Sequence, residues 1–293
     1  MKDDLGVQPA AALPSGTRLA SLWTYPRVFA TFARNSLVRD MTFRWNFVIE
    51  SLSSLSWMLM NLGFYVLIFR FTNQIGAGTG WGKYEFFVFL STTTFINSIV
   101  QAFFMPNAEE FSELVRTGGL DFAMLKPIDT QFLISLQKVD WSALANVGFA
   151  VCLLVYSLMR LDYWPGAIQL ILYPGYLLCG VALMYSLMIS LAATSVWLGQ
   201  NQTLYDFWFY ITNFSRYPME IYSGPYGEPL RQVFTFLVPV LVVVNVPARL
   251  LAKPLEAQNW PLAGFAILAA AGSLVVSRWI FQRAMLRYRS ASS

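Results

Sequence analysis

Histidine is absent from this 293-residue chain, cysteine occurs twice, and charged residues make up only 12%. Without histidine, a His-type zinc site, His-ligated haem, Ser-His or Cys-His catalysis and a His proton relay are all excluded within the chain. Cys152 and Cys179 each lie inside a long apolar run. Two isolated thiols form neither a disulfide framework nor a metal knuckle, so both read as packing residues and no metal site is expected. A soluble domain carries roughly 25% charge. With 56% hydrophobic and 16% aromatic residues and a mean hydropathy of +0.50, this chain has too little polar surface to stay in water, and a membrane protein is expected. The opening Met-Lys-Asp-Asp-Leu-Gly has no apolar core after its charges, so a cleavable signal peptide is not expected.

What is present is a series of apolar stretches. A bilayer core of ~30 Å needs ~20 apolar residues per helix, and 45–69, 84–105, 141–159, 168–197 and 262–280 meet or approach that length. Residues 1–16, polar and marked by Pro9, Pro14, Gly6 and Gly16, read as a disordered tail. From 17 to 44, apolar residues alternate at helical spacing with Arg18, Arg27, Arg34, Arg39 and Arg44, the pattern of a helix lying in the membrane interface. Lys and Arg concentrate in 1–44, in 106–140 (Arg116, Lys126, Lys138) and from Arg278 onward, while the loops 70–83 and 160–167 hold only Arg70, Lys83 and Arg160. The positive-inside rule then places both termini in the cytoplasm and makes the number of spans even. A sixth span is assigned to about 203–221, leaving 230–251, interrupted by Pro239, Asn245 and Pro247, as a broken hairpin. The alternative makes 230–251 the fifth span and puts 203–229 in the cytoplasm.

The loop Gly76 to Tyr84 is rich in glycine but departs from a phosphate-binding loop. Ala77 stands where that motif needs glycine, and Tyr84 where it needs Ser or Thr. No nucleotide site is expected in this chain. Between spans two and three, Asn107 to Arg116 starts after Pro106, carries Glu109, Glu110 and Glu113, and stops at Gly118-Gly119, the marks of a short amphipathic helix with Asn107 as a candidate cap. An apolar-laced piece, Leu120 to Asp129, follows. Such residues on the cytoplasmic side meet either the bilayer surface or a soluble partner. Within the spans, Thr93, Asn97 and Gln101 recur at i, i+4, i+8, and Asp206, Tyr210 and Asn213 at i, i+4, i+7. Each stripe either joins helices or lines a route through them.

Taken together, the basic interfacial helix, Arg116-Thr117-Gly118-Gly119-Leu120-Asp121 with Leu125-Lys126-Pro127, Arg216-Tyr217-Pro218, and Phe236-Leu237-Val238-Pro239 with Asn245-Val246-Pro247-Ala248 give a pattern that resembles a type-2 ABC exporter permease. The likeness is to the small bacterial six-span subfamily with a separately encoded ATPase. It implies an all-α polytopic membrane protein: a single permease domain over 17–293, with six transmembrane helices, an N-terminal interfacial helix and a re-entrant hairpin at 230–251. The resemblance implies that 106–130 is a coupling loop, with Glu109, Phe111, Glu113, Arg116, Leu120, Asp121, Lys126 and Pro127 meeting the ATPase. It further implies that Thr93, Asn97, Gln101, Asp206, Tyr210 and Asn213 line the path and that Pro239, Asn245 and Pro247 form a re-entrant gate. The expected partners are two ABC ATPase subunits, which would hold ATP and Mg²⁺, a second permease, identical or paralogous, and membrane lipid, with no nucleic acid. The expected location is the bacterial inner membrane and the expected activity ATP-driven export of an amphipathic or lipophilic substrate by a non-catalytic permease. An ion-driven carrier or a membrane-embedded enzyme are the alternatives.

Overall fold

A computed structural model describes residues 24–76, 78–198, 202–254 and 260–288, with the side chains of 202–206 left out. The expected tail 1–16 and the start of the interfacial helix lie outside the described residues. The described residues form helices and turns. Among them are thirteen α-helices: α1 Thr24–Thr42, α2 Arg44–Ile68, α3 Lys83–Phe103, α4 Met105–Thr117, α5 Leu120–Met124, α6 Thr130–Leu136, α7 Trp141–Arg160, α8 Ala167–Ala193, α9 Ser195–Leu198, α10 Gln202–Asn213, α11 Gly224–Gln232, α12 Val240–Ala252 and α13 Trp260–Arg287.

Among the described residues, five helical runs are long and apolar enough to cross a membrane: α2, α3 with α4 (35 residues), α7, α8 with α9 (32 residues) and α13 (28 residues). At 1.5 Å per residue the three longest rods reach ~52, ~48 and ~42 Å, well beyond a ~30 Å hydrocarbon layer. The loops at one end, 69–82 and 161–166, are short. The charged part of the 35-residue run is α4, with Glu109, Glu110, Glu113 and Arg116, so its excess length lies at the opposite end, where α4, α5 and α6 gather.

α8 is the central post. It packs against α13, α12, α3 and α10, while α3 packs chiefly on α7 and then on α12. α2 leans on α7 and α1 and leaves Trp45, Ile49, Leu52, Trp57, Met60 and Phe64 exposed. A polar clip, Asn146 Nδ2 to Ser54 Oγ at 2.6 Å, joins α2 to α7. α1 does more than lie at the interface. Trp141 Nε1 donates to the Ala33 carbonyl, Val139 N–H donates to Ser36 Oγ, and Tyr25 meets Phe132 edge-on, so one face of α1 is fixed to the bundle while Arg27, Arg34, Arg39 and Arg44 stay exposed.

The segment expected to be the fifth span is a 12-residue helix, α10, continued by 3₁₀ turns at Phe214–Arg216 and Met219–Ile221. α10 alone is ~18 Å long and does not meet the length of a span. With its turns it carries the chain from α9, beside α4 and α13, to Ile221, beside Gly76 in the opposite loop. The chain then turns back: α11, a π-turn at Val233–Leu237 and α12 form a pair bent by 89°. Both ends of this pair lie by the loop before α3, near Ile221 and Lys253, the geometry of a hairpin that returns to the end it starts from. It begins at Gly224, six residues earlier than expected.

The break in the hairpin lies at Val238–Pro239 alone. Asn245 and Pro247, expected to interrupt it as well, sit inside a continuous α12 whose residues are buried almost throughout. A run apolar but for Asn245 and Arg249 suits a helix enclosed on nearly every side. Pro247 offers no N–H to the Val243 carbonyl. Gly180 of α8 lies against that carbonyl: a Cβ built at Gly180 falls 2.9 Å from Val243 O and 2.9 Å from Ile96 Cδ1. Glycine is what allows α8 to close on both α12 and α3 here.

Candidate functional site: the projecting rim and its link to the hairpin

α4 is amphipathic, as its sequence predicts. Met105, Asn107, Ala108 and Phe111 point inward, and Glu109, Glu113 and Arg116 point outward. Arg116 donates to Glu113 through Nε (2.9 Å) and Nη2 (2.6 Å) on the exposed face. Gly118, at φ +76°, ends the helix with the left-handed turn glycine favours. Asn107 does not cap the helix. Its Nδ2 donates to the Lys138 carbonyl (2.7 Å) and its Oδ1 accepts from Lys138 N–H (2.8 Å), tying α4 to the chain before α7. Lys138 Nζ pairs with Glu110 at 2.9 Å, and Asp140 caps α7 by accepting from Ser142 N–H. Both charges are thus engaged within the protein.

The expected coupling residues divide into two groups. Phe111 and Leu120 are fully buried, Phe111 packing on Phe281 of α13 at 5.9 Å, so they anchor the segment and present nothing outward. Glu109, Glu113, Arg116, Lys126 and Pro127 are exposed, and Asp121 is half-buried. The periodicity of α4 predicts its two faces but not which one the bundle takes. The structure adds three side chains of the apolar-laced piece that were not among the expected ATPase contacts: Phe122 is 75% exposed, Leu125 80% and Met124 45%. Large apolar groups this exposed, beside Lys126 and Pro127, form a projecting rim. A signal for them lies in Leu120 to Leu125, where apolar residues on both faces of a five-residue helix cannot all be buried.

Behind the rim, Asp129 caps α6, its Oδ1 accepting from Phe132 N–H at 3.0 Å, and receives both Nη atoms of Arg278 of α13, at 3.0 and 2.5 Å. Arg278 Nη1 also donates to Gln131 Oε1 (3.0 Å), and Gln131 Nε2 donates to the Tyr185 hydroxyl of α8 (3.0 Å), which also bonds Ser135 (2.9 Å). Burial pushes the Asp129 carboxyl up. The Arg278 hydrogen bonds, the Phe132 N–H and the Arg278 charge outweigh it and hold the group below the ordinary carboxylate range. The folded value thus lies under the unfolded one. The contribution of this pair is complete at neutral pH and is lost only as pH falls below about 4.

At the far end, a second cluster fixes the hairpin. Trp81, fully buried, donates Nε1 to Glu220 Oε2 (2.9 Å), and Glu220 pairs with Arg249 of α12 at 2.5 Å. Lys253 Nζ lies 4.6 Å over the Trp81 ring, and Gln169 Nε2 donates to the Leu250 and Lys253 carbonyls (2.6 and 3.1 Å), closing the end of α12. α12 is thereby held by three segments at this end. α11 is not: it has no buried residue, and Leu230 near its end and Phe236 and Leu237 beyond it are exposed. Asn245, expected as a gate residue, is fully buried and accepts from Met219 N–H (2.8 Å) while donating to the Leu241 carbonyl. Pro247 is likewise enclosed, so neither faces an open route.

No hydrogen bond among the described residues joins the two polar stripes. α10 packs on α8, and α3 packs chiefly on α7 and α12 with a smaller contact to α8. Thr93 is buried and bonds back to the Phe89 carbonyl, Asn97 is half-buried, and Gln101 is exposed. Tyr210 is exposed, Asn213 half-buried, and the Asp206 side chain lies outside the described residues. Cys152, expected to pack inside, is exposed on α7.

The family model described as ABC-2 family transporter protein matches residues 55–292. No curated protein and no solved structure matches this chain.

Proposed function

Since this chain belongs to the ABC-2 transporter family, a family of ABC permeases, we propose that it is the permease of an ATP-driven exporter in the bacterial inner membrane, with both termini in the cytoplasm and ATP hydrolysed by two separate ATPase subunits. The observation that carries this reading is the rim at 105–130. An apolar projection of Phe122, Met124 and Leu125, flanked by Glu109, Glu113, Arg116, Lys126 and Pro127, stands at the end of the molecule where the long helices overrun the bilayer. Apolar side chains exposed in water in this way mark a protein contact. ATP and Mg²⁺ belong to the partner in this scheme, and the permease itself is non-catalytic.

A second permease, identical or paralogous, covers the exposed apolar face of α2 together with α10, whose Phe207, Phe209 and Tyr210 are also bare. The end of α2 at Tyr65 adjoins Tyr217, in the turns that follow this helix. The path forms between the two copies, with Gln101, Tyr210 and Asn213 at its edge, and alternating access opens it outward when the ATPases close. Its aromatic, uncharged character suits an amphipathic, lipophilic or cationic aromatic substrate through stacking and cation–π contact. The test is uptake of a fluorescent cationic amphiphile into inverted membrane vesicles carrying this chain and its ATPase. ATP-dependent accumulation, lost when the ATPase carries a Walker lysine substitution, is the expected result. Accumulation driven by an ion gradient without ATP would return the chain to the carrier reading.

A further inference from the structure

Of the ion pairs among the described residues, three link near neighbours in sequence. The Asp129–Arg278 pair is of another kind: its partners stand 149 residues apart, and it reaches from the cytoplasmic segment to the last helix. We infer that Arg278, with Asp129, Gln131 and Tyr185, is a positioning strut through which displacement of the rim is passed to α13 and α8, and from α8 to the re-entrant hairpin. The inference rests on the transporter reading above and adds the residues that transmit the stroke.

The geometry supports each step. Phe122 and Leu125 stand four to seven residues before Asp129, and the connection between them is stiff. Pro127 fixes its own φ, and Ile128 N–H donates back to the Lys126 carbonyl at 2.8 Å. A push on the rim therefore moves Asp129 and leaves the link little slack to absorb it. The two-pronged carboxylate–guanidinium contact resists rotation as well as separation, which a single hydrogen bond does not. Arg278 extends the contact to Gln131, and Gln131 to Tyr185, whose ring lies 4.7 Å from that of Phe104 at the junction of α3 and α4. Tyr185 is five residues from Gly180, where α8 closes on the Val243 carbonyl of α12. The polar chain thus enters α8 five residues from its close contact with α12 at Gly180. The pair is 43% and 31% exposed, so its contribution to stability is small by the measure of surface ion pairs. Its geometry is better suited to holding elements in register than to holding the fold together.

The experiment uses the full chain assembled with its ATPase in lipid nanodiscs, and reads amide hydrogen exchange over 219–239 with and without ATP plus vanadate. The wild-type complex is expected to change its exchange in that segment on nucleotide trapping. Arg278→Gln and Asp129→Asn are each expected to keep ATP hydrolysis and lose that change. Arg278→Lys, which retains the charge and not the fork, is expected to restore part of it. An undiminished response in Arg278→Gln and Asp129→Asn overturns the strut and leaves the transporter reading standing. Where the glutamine and asparagine variants fail to assemble, Arg278→Lys decides: a reduced response in an intact complex supports the strut, and a full response overturns it. A wild-type complex in which trapping alters nothing over 219–239 overturns the transporter reading and the strut with it.

Discussion

Replacing Gly180 with leucine is expected to abolish folded protein. The position is enclosed by Val243 on α12 and Ile96 on α3, and even a methyl group there stands 2.9 Å from a backbone oxygen that cannot rotate away. Inserting atoms into a closed core costs ~1–3 kcal/mol for small additions, so alanine should lower the unfolding temperature clearly. Leucine, with three further carbons, exceeds what a membrane domain of ordinary stability tolerates. Gly175, on the same helix, provides the control: a methyl group there meets nothing within 4 Å, and its alanine variant should unfold like the parent. Thermal unfolding in detergent, followed by size-exclusion profile, measures all three. A Gly180→Leu protein as stable as the parent would mean that α8 and α12 are not packed as described.

The second large effect concerns the rim. Phe122 and Leu125 are exposed in the isolated chain, so Phe122→Asp with Leu125→Asp should leave folding and insertion intact. Central apolar anchors of an interface each contribute ~2 kcal/mol or more. The doubly substituted chain should therefore bind its ATPase at least about a hundredfold more weakly, which titration of the purified ATPase onto nanodisc-embedded chain would show. Phe111→Asp should behave differently, failing to fold because Phe111 is fully buried against Phe281. Equal ATPase affinity in the double variant would move the docking surface away from the rim.

Much of the architecture is legible in the residue pattern alone. Long apolar runs announce spanning helices whatever their neighbours, so the runs at 45–69, 84–105, 141–159, 168–197 and 262–280 match α2, α3, α7, α8 with α9, and α13 to within a few residues at most of their ends. Gly118 ends α4 as expected, because a left-handed cap is a local property of one residue. The hairpin is legible through Pro239, yet its first limb is not: Gly224, Pro225, Gly227 and Pro229 all weigh against helix, and α11 forms there regardless. Asn245 and Pro247 look like breaks because local rules cannot know that α12 is enclosed on nearly every side and that the Asn245 side chain completes the backbone of Met219.

The site is harder to read for a related reason. Amphipathic periodicity fixes which residues share a face, and not which face turns inward, so Phe111 and Glu113 fall into one expected contact set and the structure separates them. The polar stripes on α3 and α10 are each real in sequence, but their meeting depends on helix order in space, and α3 packs chiefly on α7 while α10 sits against α8. Nothing local joins Asp129 to Arg278. That contact exists because α13 brings Arg278 beside the start of α6.

The most direct measurement places a photoreactive side chain at Leu125 in the full-length protein, crosslinks in the native membrane and identifies the product by mass spectrometry. An adduct with a soluble subunit carrying Walker motifs is the predicted result, recovered in amounts equal to this chain and absent when the probe is moved to the buried Leu120. Adducts only to lipid, or to a second copy of this chain, would contradict the docking of an ATPase on the rim.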